Sequence, residues 1–217
     1  MLVPSMTLPE IKRSLLQDYE SEVHVKISAL EAGAQRKWLV NGKKDFKETI
    51  LFTSKSRNVW RIFVTGSSRG LFAMPYVIFY DKVGITASHL TTSLGTLSFV
   101  YFNTHFFQRY KERAKIDLEK PEDVVKLFFR KNLSFTPCHE ELDSVKSQLF
   151  VPLQEGIGLG IHHTEEDIYE FKTFVDNSLL REDQKNKIRD IYTEVMNAVS
   201  AELNKRTKRL SNKSKYF

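Results

Sequence analysis

Residues 58–102, NVWRIFVTGSSRGLFAMPYVIFYDKVGITASHLTTSLGTLSFVYF, decide the fold of this chain. They contain short runs rich in β-branched and aromatic residues, at 58–66, 75–82, 84–92 and 95–102. Such residues favour strands, and the Gly, Asp and Ser residues between the runs favour turns. The connections are too short to hold a crossover helix, so consecutive runs are predicted to pair as an antiparallel meander.

Further strands and several helices are predicted outside the meander. A strand is expected at ETILFTS, and others at SQLFVPLQEGIGLGIHHT and DIYEFKTFVD, with GIGLG bending or bulging its strand. Apolar residues recur at helical spacing in the segments 7–40, 103–115, 120–132 and 181–210. The predicted fold class is α+β, a mainly antiparallel sheet of about five to seven strands flanked by helices, with long N- and C-terminal helices.

The chain length fits one domain over residues 1–217. Within it, the pattern predicts an N-terminal helical region at 1–48, a sheet core with inserted helices at 49–176, and a C-terminal helix with a basic tail at 177–217. No internal repeat or clear linker divides these regions.

The composition is that of a globular protein, because 41% of the residues are hydrophobic and 28% are charged. The formal net charge is +6, and the tail 204–217 carries six Lys or Arg and no acid. That tail is expected to be a solvated terminus, with phosphate binding as the alternative. No signal peptide or membrane span is recognised, so a cytoplasmic location without a membrane partner is expected.

Three other features of the sequence could indicate nucleotide, metal or thiol chemistry, and each also has a structural explanation. GIGLGIHH lacks the spacing of both phosphate-binding glycine motifs, so a strand bulge is preferred. His162 and His163 are neighbours on a predicted strand and should point to opposite faces, so neither a metal nor a cofactor is expected. Cys138, the single cysteine, sits beside His139 in a predicted loop and leaves a thiol hydrolase as a third and weaker option.

Three polar residues recur every four positions in NTHFFQRYKERAKID, residues 103–117. His105, Arg109 and Arg113 would share one stripe of a helix, since each fourth residue advances only about 40° around the axis. Like charges at this spacing disfavour a helix, so an anionic ligand or carboxylate partners in the fold are the candidate explanations. The interleaved aromatic residues are expected to anchor the helix on the sheet.

The pattern H-x-x-x-R-Y-x-x-R, the acidic start of PEDVVKLFF and the late strand ending in KTFV resemble the barnase–EndoU–colicin–RelE superfamily over about residues 100–180. Members are metal-independent ribonucleases and toxins built as helices packed on a small antiparallel sheet. The resemblance implies His105, Arg109, Arg113 and Thr173 as catalytic residues. It also implies RNA as the substrate and leaves room for an inhibitory protein partner.

The chemistry implied by this resemblance is cleavage of RNA by its own 2′-hydroxyl. His105 would move a proton, Arg109 and Arg113 would hold phosphate, and Thr173 would orient it. The alternative is a non-catalytic binding or structural protein, in which the cationic stripe holds an acidic partner or nucleic-acid phosphates. The two hypotheses differ in whether these four residues converge on one open cleft.

Overall fold

The computed structural model describes residues 1–67, 70–93, 96–132, 137–141 and 146–213. The side chains of the basic tail at 204–217 lie outside the described part of the chain. The described strands are β1 Phe46–Thr53, β2 Val59–Ser67, β3 Gly70–Tyr80, β4 Ile85–Ser93, β5 Thr96–Phe102, β6 Cys138–Glu141, β7 Lys146–Pro152, β8 Gly156–His163 and β9 Ile168–Asp176.

The α-helices of the described chain lie close to the segments where the sequence predicts them, but a π-helical turn divides the predicted N-terminal helix, and the short 3-10 turn was not predicted. The helical elements are α1 Leu8–Asp18, a π-helical turn Tyr19–Val23, α2 His24–Val40, α3 Thr104–Arg113, α4 Pro121–Lys131, a 3-10 turn Asn177–Leu179 and α5 Glu182–Lys213. The predicted capping box is present at the start of α1, where Glu10 accepts a 2.7 Å hydrogen bond from the backbone N–H of Thr7. No described helix is long and apolar enough to cross a lipid bilayer.

All the described strands form one sheet, in the order β1-β2-β3-β4-β5-β9-β8-β7-β6. Neighbouring strands are antiparallel except β5 and β9, which run parallel where the meander meets the second half of the sheet. The α+β class and the mainly antiparallel sheet are therefore confirmed.

The predicted strand number was wrong, because the described part of the chain already forms nine strands instead of five to seven. β6 was missed because CHEE follows a proline and shows no alternation of apolar and polar residues. β3 begins at Gly70 instead of Pro75, since residues 70–74 continue the ladder with β2.

The two sides of the sheet are covered by different helices. We call the side that packs against α3 and α4 the α3 face, and the opposite side the α1 face. The α3-face core is dominated by aromatic rings, with Phe102 in contact with Phe106, Phe128 and Phe171 at centroid distances of about 5 Å. On the α1 face, α1 and α2 cover one half of the sheet, and α5 covers Phe150 and Ile157 in the other half.

Candidate functional site

Helix α3 is fixed to the sheet at its first residues. The side-chain oxygen of Asn103 accepts a 2.9 Å hydrogen bond from the N–H of Phe106, which caps the helix as predicted. The N–H of Asn103 donates to the carbonyl of Phe171 on β9 at 3.2 Å. Phe106 and Tyr110 are fully buried against the sheet. Because these residues face the core, the opposite side of the helix is held in a fixed orientation toward solvent.

His105 and Arg109 lie next to each other on this outer side. The Nε of Arg109 donates to Nε2 of His105 at 3.4 Å, and its Nη1 forms an ion pair with Glu112 at 2.7 Å. The pair thus places an imidazole beside a guanidinium whose remaining N–H groups can bind another ligand.

Arg113 has a different environment from Arg109. Its Nη1 donates to the backbone carbonyl of Phe174 on β9. The side chain is half-buried and joins the C-terminal end of α3 to the sheet. The structure therefore uses Arg113 to position the helix and does not place it in the cleft beside His105.

Thr173 lies on the other face of the sheet. Its cross-strand neighbour is Leu159, which packs against the cluster beneath α5. Phe171 and Phe174, which flank it along β9, both point into the α3-face core. In a regular strand Phe171 and Thr173 would point to the same face. The bulge opposite Leu159 and Gly160 inserts an extra residue into β9 between them, so they point to opposite faces. The structure thus does not bring Thr173 together with His105 and Arg109.

An open cleft of about 700 Å³ runs along α3 and the segment after it. We call it the α3 cleft; it is lined by His105, Gln108, Arg109, Lys111, Glu112, Lys115, Ile116 and Asp117. This lining has three cationic side chains and two carboxylates, so its formal charge is +1. The opening is shallow and largely exposed, which suits a surface ligand better than a small molecule that needs enclosure.

Lys115, which lines the cleft, has an unusual backbone conformation. Its φ of 52° is positive, in the left-handed region that normally favours glycine after a helix. The N–H of Ile116 donates to the carbonyl of Lys111 at 2.9 Å, and that of Lys115 to Glu112 at 3.4 Å, which completes a Schellman motif. The sequence reasoning missed Lys111 and Lys115, although both lie within the stretch 103–117 that it singled out.

The other chemical candidates have structural roles. Cys138 is buried beneath α5, where burial raises the pKa of its thiol to about 11 and disfavours the nucleophilic thiolate. The ring of His162 stacks on Tyr169 at 4.2 Å, whereas His163 bonds to Glu170 at 2.9 Å on the opposite face. Within the described ranges, no three His, Cys, Asp or Glu side chains are grouped to hold a metal ion.

Comparison of this chain with known protein families, with curated proteins and with solved structures finds no match. The chemistry of the α3 cleft is therefore the basis on which its function is inferred.

Proposed function

We propose that the protein binds RNA through the phosphates of a strand lying in the α3 cleft. The observation that carries the proposal is the Arg109 guanidinium, held on a rigid helix beside His105, with Lys111 and Lys115 along the same cleft. Arginine presents a planar fork of donors that matches phosphate geometry. A positively charged groove that follows a backbone is how single-stranded nucleic acid is bound without sequence preference.

The backbone of Lys115 supports this proposal independently. A non-glycine residue in the left-handed region is uncommon, and glycine would avoid the associated strain. Retaining a lysine there places a further cation in the cleft. Lys43, Arg57 and Asp167 have the same backbone conformation, so the support comes from the position of Lys115 in the cleft.

Metal-independent cleavage of RNA is the second candidate, and the contact between His105 and Arg109 favours it. In its basic form, the His105 imidazole can accept the 2′-hydroxyl proton as the 2′-oxygen bonds to phosphorus. The P–O5′ bond then breaks and the departing 5′-oxygen takes a proton from solvent water, while the adjacent guanidinium can stabilise charge on the phosphoryl oxygens. Thr173 and Arg113 would not take part, since one lies on the α1 face and the other is bonded to Phe174. Cleavage would then depend on His105, Arg109 and the two cleft lysines.

Binding is tested with a fluorescent single-stranded RNA in excess EDTA, comparing Arg109→Ala with Arg181→Ala. Arg181 is a matched control, because it is also an exposed arginine paired with a nearby acid, Asp183 at 3.4 Å. Loss of one charge-assisted contact should weaken binding by about ten- to a hundredfold in Arg109→Ala. It should also reduce the slope of log affinity against log salt by about 0.7.

Neither substitution should change the free energy of unfolding by more than about 0.5 kcal/mol, since both side chains are exposed enough to leave no buried partner. Equal losses of binding in the two variants, or no binding by the parent chain at low salt, would refute the proposal. Cleavage is measured in the same samples. If RNA is cut, His105→Ala should abolish cutting while leaving most of the binding, and an uncut RNA identifies the site as non-catalytic.

A further inference from the structure

Strand β1 forms an unprotected edge of the sheet. It pairs only with β2, in an unbroken register from Phe46 with Gly66 to Thr53 with Val59. No other strand of the described chain lies along its outer side. Half of its backbone N–H and C=O groups therefore point away from β2 and are available to another strand.

Natural sheet edges are normally shielded by proline, bulges, short length or charge. β1 is eight residues long, contains no proline and shows no bulge against β2. Its charged residues, Lys47 and Glu48, lie near its start, and residues 49–53 are uncharged. The opposite edge strand, β6, has only four residues. The described part of the chain thus leaves β1 as an edge at which another strand can pair.

The side chains of β1 leave apolar surface uncovered on both faces of the sheet. On the α3 face, Leu51 is 66% exposed, and Val59 on the adjacent strand is 40% exposed. On the α1 face, the side chains of Phe46, Ile50 and Phe52 are only half-buried, although they belong to the core beneath α1 and α2. The core is thus open at this edge, where another strand would cover it.

We infer that a second copy of this chain pairs with β1, antiparallel across a two-fold axis at Leu51. In this register Leu51 faces Leu51 of the second copy, Ile50 faces Phe52, and Thr49 faces Thr53. Apolar residues meet apolar residues and threonine meets threonine, which are favourable cross-strand pairs. Sliding the register toward the start of the strand would instead place Leu51 opposite Thr49 or Lys47.

The self-complementary pattern selects a second copy over an unrelated strand. A two-fold interface requires one surface to match itself, so that each contact occurs twice. The uncharged centre of β1 meets this requirement, because residues 49–53 bring no like charges together, and the two lysines that this register aligns, Lys47 and Lys55, lie outside that centre. This inference rests on β1 alone and does not depend on RNA binding at the α3 cleft.

The test is the oligomeric state of the full chain, measured by light scattering and sedimentation over a range of micromolar concentrations. The parent chain should be a dimer, and Leu51→Lys should weaken dimerisation by at least about tenfold, because two lysines would meet at the axis. Val83→Lys is the matched control, since Val83 is 79% exposed in the turn between β3 and β4. That variant should remain dimeric.

A cysteine pair provides a second measurement that does not depend on how well Leu51→Lys folds. Oxidation of Leu51→Cys should give covalent dimers, whereas Val83→Cys should not, and the native Cys138 is buried and should contribute little. A monomeric parent chain, a dimer that survives Leu51→Lys, or equal cross-linking of the two cysteine variants would overturn the inference.

Discussion

Asp18, the last residue of α1, shows how a single buried charge can hold two distant parts of the chain together. Its side chain accepts hydrogen bonds from Ser54 at 2.7 Å, Asn58 at 2.8 Å, Trp60 at 3.1 Å and also from Ser56. All these donors are uncharged and belong to the loop between β1 and β2 or to the start of β2. Burial by itself raises the pKa of Asp18, but these hydrogen bonds outweigh it and leave the pKa below its ordinary value.

The first residue-scale prediction is that Asp18→Asn lowers the free energy of unfolding by about 3 kcal/mol at neutral pH, because an amide N–H₂ would then face buried donors. A carboxylate whose folded-state pKa is lowered stabilises the protein above its unfolded pKa of about 3.9. That stabilisation is lost as the pH falls through the folded-state value. The difference between the parent chain and Asp18→Asn should therefore be constant near neutrality and shrink below about pH 4.

Urea unfolding at a series of pH values measures this difference, with Asp190→Asn as the control because Asp190 is exposed on α5. The control should differ from the parent chain by no more than about 0.5 kcal/mol. A difference for Asp18→Asn that grows on acidification would contradict the assigned direction of the pKa shift.

At the scale of helices and strands, two glycines differ in the space around them, and this difference predicts opposite effects of substitution by alanine. Gly33 lies in the middle of α2, and a Cβ added there would meet nothing within 4 Å. Gly160 lies on β8 opposite the bulge of β9, where an added Cβ would collide with the carbonyl oxygen of Glu170 and lie 2.8 Å from the Cα of Phe171. Both contacts are with backbone, which cannot move aside as a flexible side chain would.

Gly33→Ala should raise the free energy of unfolding by about 0.5–1 kcal/mol, because alanine favours the helix and loses less backbone entropy. Gly160→Ala should lower it by at least about 2 kcal/mol, since strand pairing across the bulge must shift. Thermal denaturation of both variants measures the two effects. A Gly160→Ala protein as stable as the parent chain would show that the bulge adapts easily.

The elements were more predictable than the site, for a physical reason. Helix periodicity, caps and strand alternation are local properties, so α3 and its Asn103 cap could be predicted from a few residues. The different environments of Arg109 and Arg113 could not be predicted in this way, because both occupy the same helical stripe. Arg113 differs only through the carbonyl of Phe174, which lies 61 residues later and on a different element.

Thr173 illustrates the same limit within the sheet. The alternation of a strand predicts the face of each residue only while its register is unbroken. The bulge beside Leu159 and Gly160 shifts that register, and it placed Thr173 with the cluster beneath α5. The glycines indicated a bulge, but not which of the neighbouring side chains it would redirect.

At the scale of the whole molecule, the sheet separates two large cores that lie on its two faces. Phe106 is fully buried in the α3-face core, and Trp60 is fully buried in the α1-face core. The strands that carry these cores are the same, since adjacent residues of β2 such as Ile62 and Phe63 point into opposite ones. Loss of packing in the core on one face should therefore also destabilise the core on the other face.

The last prediction is that Phe106→Ala lowers the melting temperature reported by tryptophan fluorescence, although both tryptophans lie on the α1 face. Truncating a buried phenylalanine costs about 3–5 kcal/mol, and about 1 kcal/mol shifts the melting temperature by roughly 2–4 °C in a chain of this size. The melting temperatures reported by fluorescence and by far-UV circular dichroism should both fall, by the same amount of about 6–20 °C. A fluorescence transition that stays at the parent temperature while the dichroism transition splits would show that the two faces unfold independently, and the single-domain organisation predicted for residues 1–217 would then be wrong.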